Sequence, residues 1–308
     1  MNLVCPACKG NELLRVGEIP QTKIFAGNEF SIPLPRSNLF KCKSCNLNFR
    51  WPRLSKKELD KIYKTRNPED TQYELRSRKD WQIAINWIGR ELNGGFILDI
   101  GCWNGNFLAN LKEDWKRYGV EINPVASSRA MDKGIKIITN DFSDLAFLPF
   151  KFDVVTAFDV TEHTEDPLTF IASVCKVTKD NGLIILSSGN TEASTWKISK
   201  GKYWYCTIPE HMSFINAPWY CFAAEKLNLN IVHKETFSHA SKSSFTKICL
   251  DLSKNIAYLI TPILFAKLRK IKHLYLRDCK VGETYDYPPS WMTSKDHLII
   301  IFKKVSRK

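Results

Sequence analysis

The chain has 308 residues, a formal net charge of +13, 10 cysteines and 14 glycines. Its 44% apolar and 25% charged residues exclude a collagen, a coiled coil and a largely disordered chain. The longest mainly apolar run, Ile256 to Ala266, is shorter than the roughly 20 residues that span a bilayer. The N-terminus has no basic segment followed by an apolar core, so we predict a cytoplasmic protein with reduced or metal-bound cysteines.

The charge is unevenly distributed along the chain. Residues 1–80 carry 16 Lys and Arg against 9 Asp and Glu, and residues 231–308 carry 15 against 6. Residues 81–230 carry 14 against 17 and are therefore slightly acidic. Basic ends predict an anionic partner such as nucleic acid, a phosphorylated substrate or a membrane surface, although scattered lysines also serve solubility alone.

Four cysteines form two C-x-x-C pairs, Cys5 with Cys8 and Cys42 with Cys45. Each pair can turn the backbone so that two sulfurs point at one ion, and two pairs complete a tetrahedral thiolate site of the kind zinc prefers. The alternative is two unrelated pairs of free thiols. The spacing favours a structural zinc site, because all four ligand positions would be filled by protein.

Strand-like stretches from Glu12 to Val16 and from Ser37 to Lys41 separate the two pairs, and a hairpin there would bring them together. We therefore predict a zinc ribbon over residues 1–54. Ser55 followed by Glu58 is typical of a helix N-cap with a capping box. Residues 55–80 are predicted to be a helical connector.

From Trp81 onward the pattern alternates between strand and helix, which indicates a doubly wound α/β sheet. The predicted strands are Phe96 to Ile100, Arg117 to Glu121, Ile135 to Thr139, Phe152 to Phe158 and Gly182 to Leu186. The predicted helices are Asn104 to Glu113 and two that begin at Pro124 and Pro167. Ligands of such sheets lie at the carboxyl ends of the strands.

Polar residues follow the ends of the first three strands. The first strand ends in Asp99 and a turn with Gly101 and Gly105, which lets the backbone approach a ligand closely. The second ends in Glu121, where a carboxylate can accept both hydroxyls of a ribose. Asp141-Phe142 follows the third and offers a carboxylate and a ring for an adenine. An acidic residue before the turn suits a cationic cofactor.

These motifs, together with Phe158-Asp159-Val160-Thr161-Glu162-His163 after the fourth strand, resemble the class I S-adenosylmethionine-dependent methyltransferases. The resemblance covers about residues 81–240 and the last strand. It implies a seven-stranded sheet whose last strand, Asp296 to Lys304, is antiparallel. It also implies a methyltransferase domain over residues 81–308 and cofactor contacts from Asp99, Gly101, Cys102, Gly105, Glu121, Asp141, Phe142 and Phe158.

One position departs from the family pattern. Trp103 stands where the family usually has a glycine, and we expect its ring to reshape the methionine end of the pocket. A nicotinamide-dependent oxidoreductase is the alternative, but its fingerprint needs three glycines in G-x-G-x-x-G, and only Gly101 and Gly105 are present here.

Methyl transfer from a sulfonium needs a positioned nucleophile and can need a base. The candidates are Asp159, Glu162 and His163, whose spacing clusters them after the fourth strand. Glu162-His163 followed by Asp166-Pro167 resembles the E-H-x-x-D-P element of enzymes that methylate quinone precursors and sugars. Some of these relatives hold a magnesium ion there. For Asp166 we favour a charge at the N-terminus of the next helix.

His211 is a second candidate base, and it follows an aromatic loop with Trp196 and Tyr203-Trp204-Tyr205. The loop could form a lid and a sugar-binding platform, or it could bury its own rings as a small separate core. The motif order and the cysteine pairs resemble bacterial sugar and surface-polysaccharide methyltransferases. We therefore predict methylation of a sugar hydroxyl in a nucleotide-sugar or lipid-linked glycan. Sugar C-methylation, quinone-type O-methylation and RNA methylation or binding are the alternatives.

A basic insertion is predicted at about residues 245–292. Residues 256–277 are apolar at first and then alternate basic and apolar positions at helical spacing, which is typical of a basic amphipathic helix. Such a helix could bind peripherally to the inner face of the membrane, or it could pack on the domain with solvated lysines.

Overall fold

The computed structural model describes residues 3–20, 24–25, 28–29, 36–55, 58–59, 78–239, 245–265, 267–268 and 295–306. Most of the predicted connector and much of the predicted basic insertion lie outside these residues. Ser55 and Glu58 are described and form the predicted capping box. The backbone N–H of Ser55 donates to the Glu58 carboxylate at 2.7 Å, and the N–H of Glu58 donates to the Ser55 hydroxyl at 3.4 Å.

The described elements alternate in the order expected of an α/β protein. The strands are β1 (Leu13–Ile19), β2 (Ile24–Phe25), β3 (Asn28–Glu29), β4 (Ser37–Cys42), β5 (Asn48–Trp51), β6 (Gly95–Ile100), β7 (Trp115–Val120), β8 (Lys136–Thr139), β9 (Phe152–Phe158), β10 (Thr178–Gly189), β11 (Ser213–Phe214), β12 (Leu229–Phe237) and β13 (His297–Lys304). The α-helices are α1 (Lys79–Glu91), α2 (Asn106–Ala109), α3 (Pro124–Met131), α4 (Pro167–Val177), α5 (Ser194–Ser199), α6 (Ala217–Leu227) and α7 (Phe245–Ile260).

The main sheet has seven strands in the order β12-β13-β10-β9-β6-β7-β8. Strands β6 to β10 run parallel, and β13 runs antiparallel between β10 and β12. Successive residues of the central strands point to opposite faces, and both faces are covered by buried apolar side chains. The predicted seven-stranded sheet with an antiparallel last strand is therefore confirmed.

One predicted helix is much shorter than expected. The pattern from Asn104 to Glu113 predicts about three turns, but α2 covers only Asn106–Ala109. The chain then turns into β7, and the guanidinium of Arg117 binds the carbonyl oxygens of Leu111 and Lys112 at 2.7 and 3.2 Å. These carbonyls are thereby satisfied without a further helical turn.

A second, antiparallel sheet has the order β1-β4-β5-β11. Its first three strands come from the N-terminal segment, whereas β11 lies between β10 and α6 of the main domain. Ser213 pairs with Phe49 and Phe214 with Asn48. The N-terminal segment is therefore joined to the main domain by a shared sheet.

Arg50 of β5 is buried at this junction, with 6% of its surface exposed. Its guanidinium donates to the carbonyl oxygens of Pro209 at 2.8 Å and Ile208 at 3.1 Å, and it also contacts that of Cys206. Its backbone N–H donates to the carbonyl of Met212 at 2.9 Å. Arg50 thus holds the segment that precedes β11 against the N-terminal sheet.

Replacing Arg50 should destabilise the protein because two buried carbonyl groups and one partly buried carbonyl group would lose a charged donor. We expect Arg50→Ala to lower the free energy of unfolding by about 3 kcal/mol. Arg15→Ala, at an exposed position of β1, should change it by less than about 0.5 kcal/mol. Urea unfolding of both variants measures the difference, and equal stabilities would contradict the role given to Arg50.

Candidate active site

The turn after β6 has the geometry that its glycines permit. Gly101 and Gly105 have φ of 71° and 74°, in the left-handed region that favours glycine. A Cβ on Gly101 would lie 2.8 Å from Cγ2 of Val160, and one on Gly105 would overlap Ile135. The glycine turn therefore packs directly against the segment that follows β9, so both strand ends face one site.

Trp103, the departure from the family pattern, also has a left-handed backbone, with φ of 49°. A non-glycine residue in this region costs on the order of 1 kcal/mol and is typical of functional sites. Its backbone N–H donates to Oε2 of Glu121 at 2.8 Å. The backbone of Trp103 is therefore tied to the end of β7 through Glu121.

Glu121 lies just after β7 and is almost fully buried, with 5% exposed. Besides the bond from Trp103, its Oε1 accepts the backbone N–H of Asn123 at 2.8 Å. The Asn123 side chain in turn caps α3 through the N–H groups of Val125 and Ala126. The carboxylate is thus fixed between the glycine turn and the start of α3.

The residues after β8 are more exposed. Asp141 accepts the backbone N–H of Ser143 at 2.9 Å and caps the short 3-10 helix Phe142–Phe147. Phe142 is 36% exposed, and its ring centroid lies 5.5 Å from that of Phe170. An exposed ring beside a carboxylate is the surface that the adenine interpretation requires.

Asp99 is buried at the end of β6, with 3% exposed. Burial raises the pKa of its carboxyl to about 7, although the Thr156 hydroxyl donates to it at 2.6 Å and opposes the shift. Cys102 is also buried, and burial raises the pKa of its thiol. The ring of Phe158 is partly buried, 4.6 Å from that of Phe107.

Asp159 begins the segment after β9 and has φ of 54°. Burial would raise the pKa of its carboxyl, but the charge of Arg78, together with the imidazoles of His297 and His239, outweighs this effect and lowers it. Arg78 lies 2.9 Å from Asp159 and 2.6 Å from Asp80. No motif marked Arg78 or Asp80, which lie in the polar stretch before the first predicted strand.

Asp159 and His239 each have one side-chain atom that can make a further hydrogen bond. One ligand atom from each of Asp80, Asp159 and His239 lies within 4.8 Å of the others. Oδ1 of Asp159 and Nε2 of His239 are buried and have no hydrogen-bond partner among the described residues. This is the kind of arrangement that a polar ligand completes.

Glu162 is fully buried, and its two oxygens accept from Ser188 Oγ at 3.0 Å and from the Tyr205 hydroxyl. Burial raises the pKa of its carboxyl to about 8. Its backbone carbonyl accepts the N–H of Met212 at 2.8 Å. Glu162 therefore links the end of β9 to the end of β10 and to the loop before β11.

The two candidate histidines are brought together. The rings of His163 and His211 have centroids 4.7 Å apart in a T-shaped arrangement. Nδ1 of His211 lies 3.0 Å from the carbonyl oxygen of Tyr205. A carbonyl can only accept, so in the neutral ring Nδ1 carries the proton and Nε2 bears the lone pair. Ligand atoms of Glu162, His163 and His211 all lie within 4.8 Å of one another.

The aromatic loop forms a small separate core. Trp196, Tyr203 and Tyr205 are each less than 5% exposed and pack with Ile19 and Leu39 of the N-terminal sheet, and Trp204 is partly buried against this cluster. Of the two interpretations that the sequence allowed, this arrangement favours the buried core for these three rings. The loop is therefore a rigid support for His211.

The four N-terminal cysteines converge as their spacing predicted. Sγ of Cys5 lies 3.5 Å from that of Cys45, and Sγ of Cys8 lies 3.5 Å from that of Cys42. All four sulfur atoms lie within 4.8 Å of one another. Tetrahedral zinc with bonds of about 2.3 Å places its sulfurs about 3.8 Å apart. The donor set and its dimensions therefore fit such an ion.

A family profile described as "Methyltransferase domain" matches residues 74–234, slightly more than half of the chain. The chain belongs to this methyltransferase family, and the predicted enzyme class is confirmed at that level. A protein from Galdieria sulphuraria, a proposed sarcosine dimethylglycine methyltransferase, has the same fold. Its structure superposes with a TM-score of 0.50 and 14% identity over 75% of this chain and 86% of that one.

Curated relatives include ubiquinone biosynthesis O-methyltransferases. The protein from Erwinia tasmaniensis is 25% identical over 127 residues, which cover 37% of this chain and 51% of the relative. The one from Aeromonas salmonicida is 24% identical over 194 residues, or 56% and 80%. The chain spans about half the length of the first of these curated relatives.

The raised pKa of Asp99 should appear in the pH dependence of stability. The folded protein binds the Asp99 proton more tightly than an ordinary carboxyl with a pKa of 3.8 does. The protonated carboxyl of Asp99 therefore contributes fully to stability below about pH 3.8, and this contribution is lost as the pH rises through about 7. We expect the free energy of unfolding of the wild type to fall by roughly 4 kcal/mol relative to Asp99→Asn over this range.

Urea unfolding of the cofactor-free protein at several pH values between 4 and 8 measures this difference. Asp132→Asn, at an exposed carboxyl, is the matched control. A difference between wild type and Asp99→Asn that stays constant with pH would contradict the assignment.

Proposed function

We propose that the protein uses S-adenosylmethionine to methylate a hydroxyl group of a sugar-containing acceptor. The observation that carries the proposal is the hydrogen bond between Nδ1 of His211 and the carbonyl of Tyr205. It leaves a lone pair on Nε2 of an imidazole that stands beside His163 at the end of β9. A hydroxyl nucleophile needs such a base, because it must lose its proton as the methyl group arrives.

The cofactor would be held by residues at the ends of β6, β7, β8 and β9. The backbone of Gly101 and Gly105 would lie along its methionine part, with Cys102 and Phe158 beside it. Glu121 would accept the ribose hydroxyls, and Asp141 with Phe142 would hold the adenine. Acidic groups suit this ligand because bound S-adenosylmethionine supplies the methyl group as a cationic sulfonium.

The remaining residues would position the acceptor and manage its proton. His211 Nε2 would take the hydroxyl proton as the oxygen forms its bond to the methyl carbon, and His163 would orient the same hydroxyl. Asp159 Oδ1 and His239 Nε2 would bind a neighbouring polar group of the acceptor. Glu162 would act by fixing Tyr205, whose carbonyl holds His211. An acceptor with several hydroxyls, such as a sugar, fits these spaced polar groups.

Two other acceptor classes have specific support. Curated relatives named ubiquinone biosynthesis O-methyltransferases favour a quinone-type phenol, which would use the same base. Sugar C-methylation, the alternative at the same acceptor, would need a base that removes a proton from carbon instead of from a hydroxyl group. The net charge of +13 favours RNA, but RNA affinity should then fall steeply with salt. The magnesium ion that some relatives hold after the fourth strand has little support here, because the two imidazoles and one carboxylate of His163, His211 and Glu162 are a donor set that magnesium rarely takes.

We also propose that Cys5, Cys8, Cys42 and Cys45 bind structural zinc and make residues 1–54 a zinc ribbon. The converging sulfurs support this. The ion would stabilise the loop that precedes β1 and the turn that follows β4, and therefore the sheet that carries Arg50. The domain limits at residues 54 and 80, and a cytoplasmic location, remain part of the proposal. In the part of the chain that the structure describes, no helix is long and apolar enough to cross a membrane.

Loss of the carboxylate at position 121 should weaken cofactor binding. We expect Glu121→Gln to reduce the affinity for S-adenosylhomocysteine by about tenfold to a hundredfold, because charged hydrogen bonds to the ribose would be lost. Glu113→Gln, at an exposed position near β7, should bind as the wild type does. Isothermal titration calorimetry measures both affinities, and equal values would show that Glu121 does not contact the cofactor.

The acceptor class is tested with a panel of nucleotide-sugars, a lipid-linked glycan, a catechol and tRNA. We expect mass spectrometry to detect one added methyl group on a sugar-containing compound. His211→Ala should then reduce kcat by about a hundredfold or more, with unchanged S-adenosylhomocysteine binding.

His233→Ala changes a histidine on strand β12 that pairs with Glu235 and serves as the control. Methylation of the catechol or of tRNA alone would refute the sugar acceptor. Full turnover by His163→Ala and His211→Ala would refute the histidine base.

Zinc removal is the test of the ribbon. We expect about one zinc ion per chain by elemental analysis, its loss in Cys8→Ser, and its retention in Cys221→Ser at an exposed cysteine. Thermal unfolding should shift to lower temperature on chelation. A zinc-free native protein of undiminished stability would contradict the proposal.

A further inference from the structure

A short turn carries His163 between the end of β9 and the start of α4. The chain forms a single stretch of 3-10 helix at Thr161–His163, and α4 begins at Pro167. A 3-10 helix of this length makes few hydrogen bonds within itself. The position of His163 therefore depends on the contacts that this turn makes with other parts of the chain.

The N-terminal side of the turn is bound to the loop that carries His211. The backbone N–H of Met212, the residue after His211, donates to the carbonyl oxygen of Glu162 at 2.8 Å. This hydrogen bond joins the two histidine-bearing segments on one side of His163. The other side, residues 164–166, is bound by a different element.

Arg53, which follows β5, binds this other side. Its Nη1 donates to the carbonyl oxygen of Glu165 at 2.6 Å. Its Nη2 lies 3.5 Å from the carbonyl oxygen of Met212, and its Nε donates to the carbonyl oxygen of Arg50 at 3.2 Å. One guanidinium therefore contacts both histidine-bearing segments and strand β5.

The planar shape of the guanidinium restrains the spacing of these carbonyl groups. Its N–H groups point outward at fixed angles in one plane, so oxygen atoms that bind different nitrogens have a defined separation. Cζ of Arg53 also lies over the ring of Phe49, 5.5 Å from the ring centroid. Phe49 is fully buried, and its ring therefore limits the movement of Arg53.

Lys9 adds a weaker contact from the same N-terminal segment. Its Nζ lies 2.8 Å from Oδ2 of Asp166, while Oδ1 of Asp166 caps α4 through the N–H groups of Leu168 and Thr169. The Lys9 side chain is 64% exposed, and an ion pair in contact with solvent contributes little. Arg53 is therefore the stronger of the two contacts.

We propose that Arg53 is a positioning residue that holds His163 against His211. The N-terminal segment thereby contributes to catalysis without touching the substrate, because reaction rates are sensitive to displacements of about 1 Å in the reacting groups. The inference rests on the proposed function, which gives the two histidines their part in the reaction. Its geometric claim, that Arg53 sets the spacing of the two rings, is testable without an acceptor.

Nuclear magnetic resonance of the full chain with isotope-labelled histidine measures this spacing. The rings of His163 and His211 have centroids 4.7 Å apart and should give a nuclear Overhauser cross-peak. We expect Arg53→Ala to weaken the cross-peak at least about threefold, because the turn then samples positions farther from His211. Arg15→Ala removes an exposed arginine of the same sheet that binds Asn38, and should leave the cross-peak unchanged.

The cross-peak between His239 and His297, whose ring centroids lie 4.6 Å apart, is the internal control. It should be unchanged in Arg53→Ala, as should the calorimetric affinity for S-adenosylhomocysteine. Arg53→Lys keeps the charge but not the planar fork, and it replaces Arg53→Ala in the comparison if the latter does not fold. Absence of the His163–His211 cross-peak in the wild type, or an equal cross-peak in the folded Arg53 variant, would overturn the proposal.

Kinetics test the consequence for catalysis. With any compound of the acceptor panel that the wild type methylates, Arg53→Ala should lower kcat by about tenfold to a hundredfold and change KM by less than about threefold. An unchanged kcat would overturn the catalytic part of the proposal. Failure of the proposed function is recognised separately, because methylation of the catechol or of tRNA alone would refute the sugar acceptor and leave the cross-peak result unaffected.

Discussion

The buried guanidinium of Arg50 connects parts of the chain that are distant in sequence. Its acceptors are backbone carbonyls at positions 206, 208 and 209, just before His211. A charged donor is costly to bury unless its hydrogen bonds are made, so the bonds of Arg50 couple the stability of the N-terminal sheet to that of this loop. The position of His211 therefore depends on a segment that lies far from it in sequence and packs into the same core as the main sheet.

The carboxyl edge of the main sheet is chiefly acidic. Asp99, Glu121 and Asp159 lie at the ends of three adjacent strands, and Arg78 is the cation bound to the last of them. Such an edge disfavours the pyrophosphate of a nicotinamide cofactor and favours a cationic sulfonium.

Sequence periodicity was sufficient for the strands of the main sheet, because buried parallel strands are continuous apolar runs bounded by turn residues. It was insufficient for α2, where Arg117 satisfies carbonyls that a longer helix would have used. The two-residue strand β11 has no periodic pattern, and the ion pair of Arg78 with Asp159 joins residues about 80 positions apart.

The most direct test of the central claim is a crystal structure of the protein with S-adenosylhomocysteine. We predict that the ribose hydroxyls bind Glu121, that the homocysteine lies along Gly101 and Gly105, and that the sulfur faces the histidine pair His163 and His211. A ligand bound elsewhere, or with its sulfur turned away from the end of β9, would contradict the account.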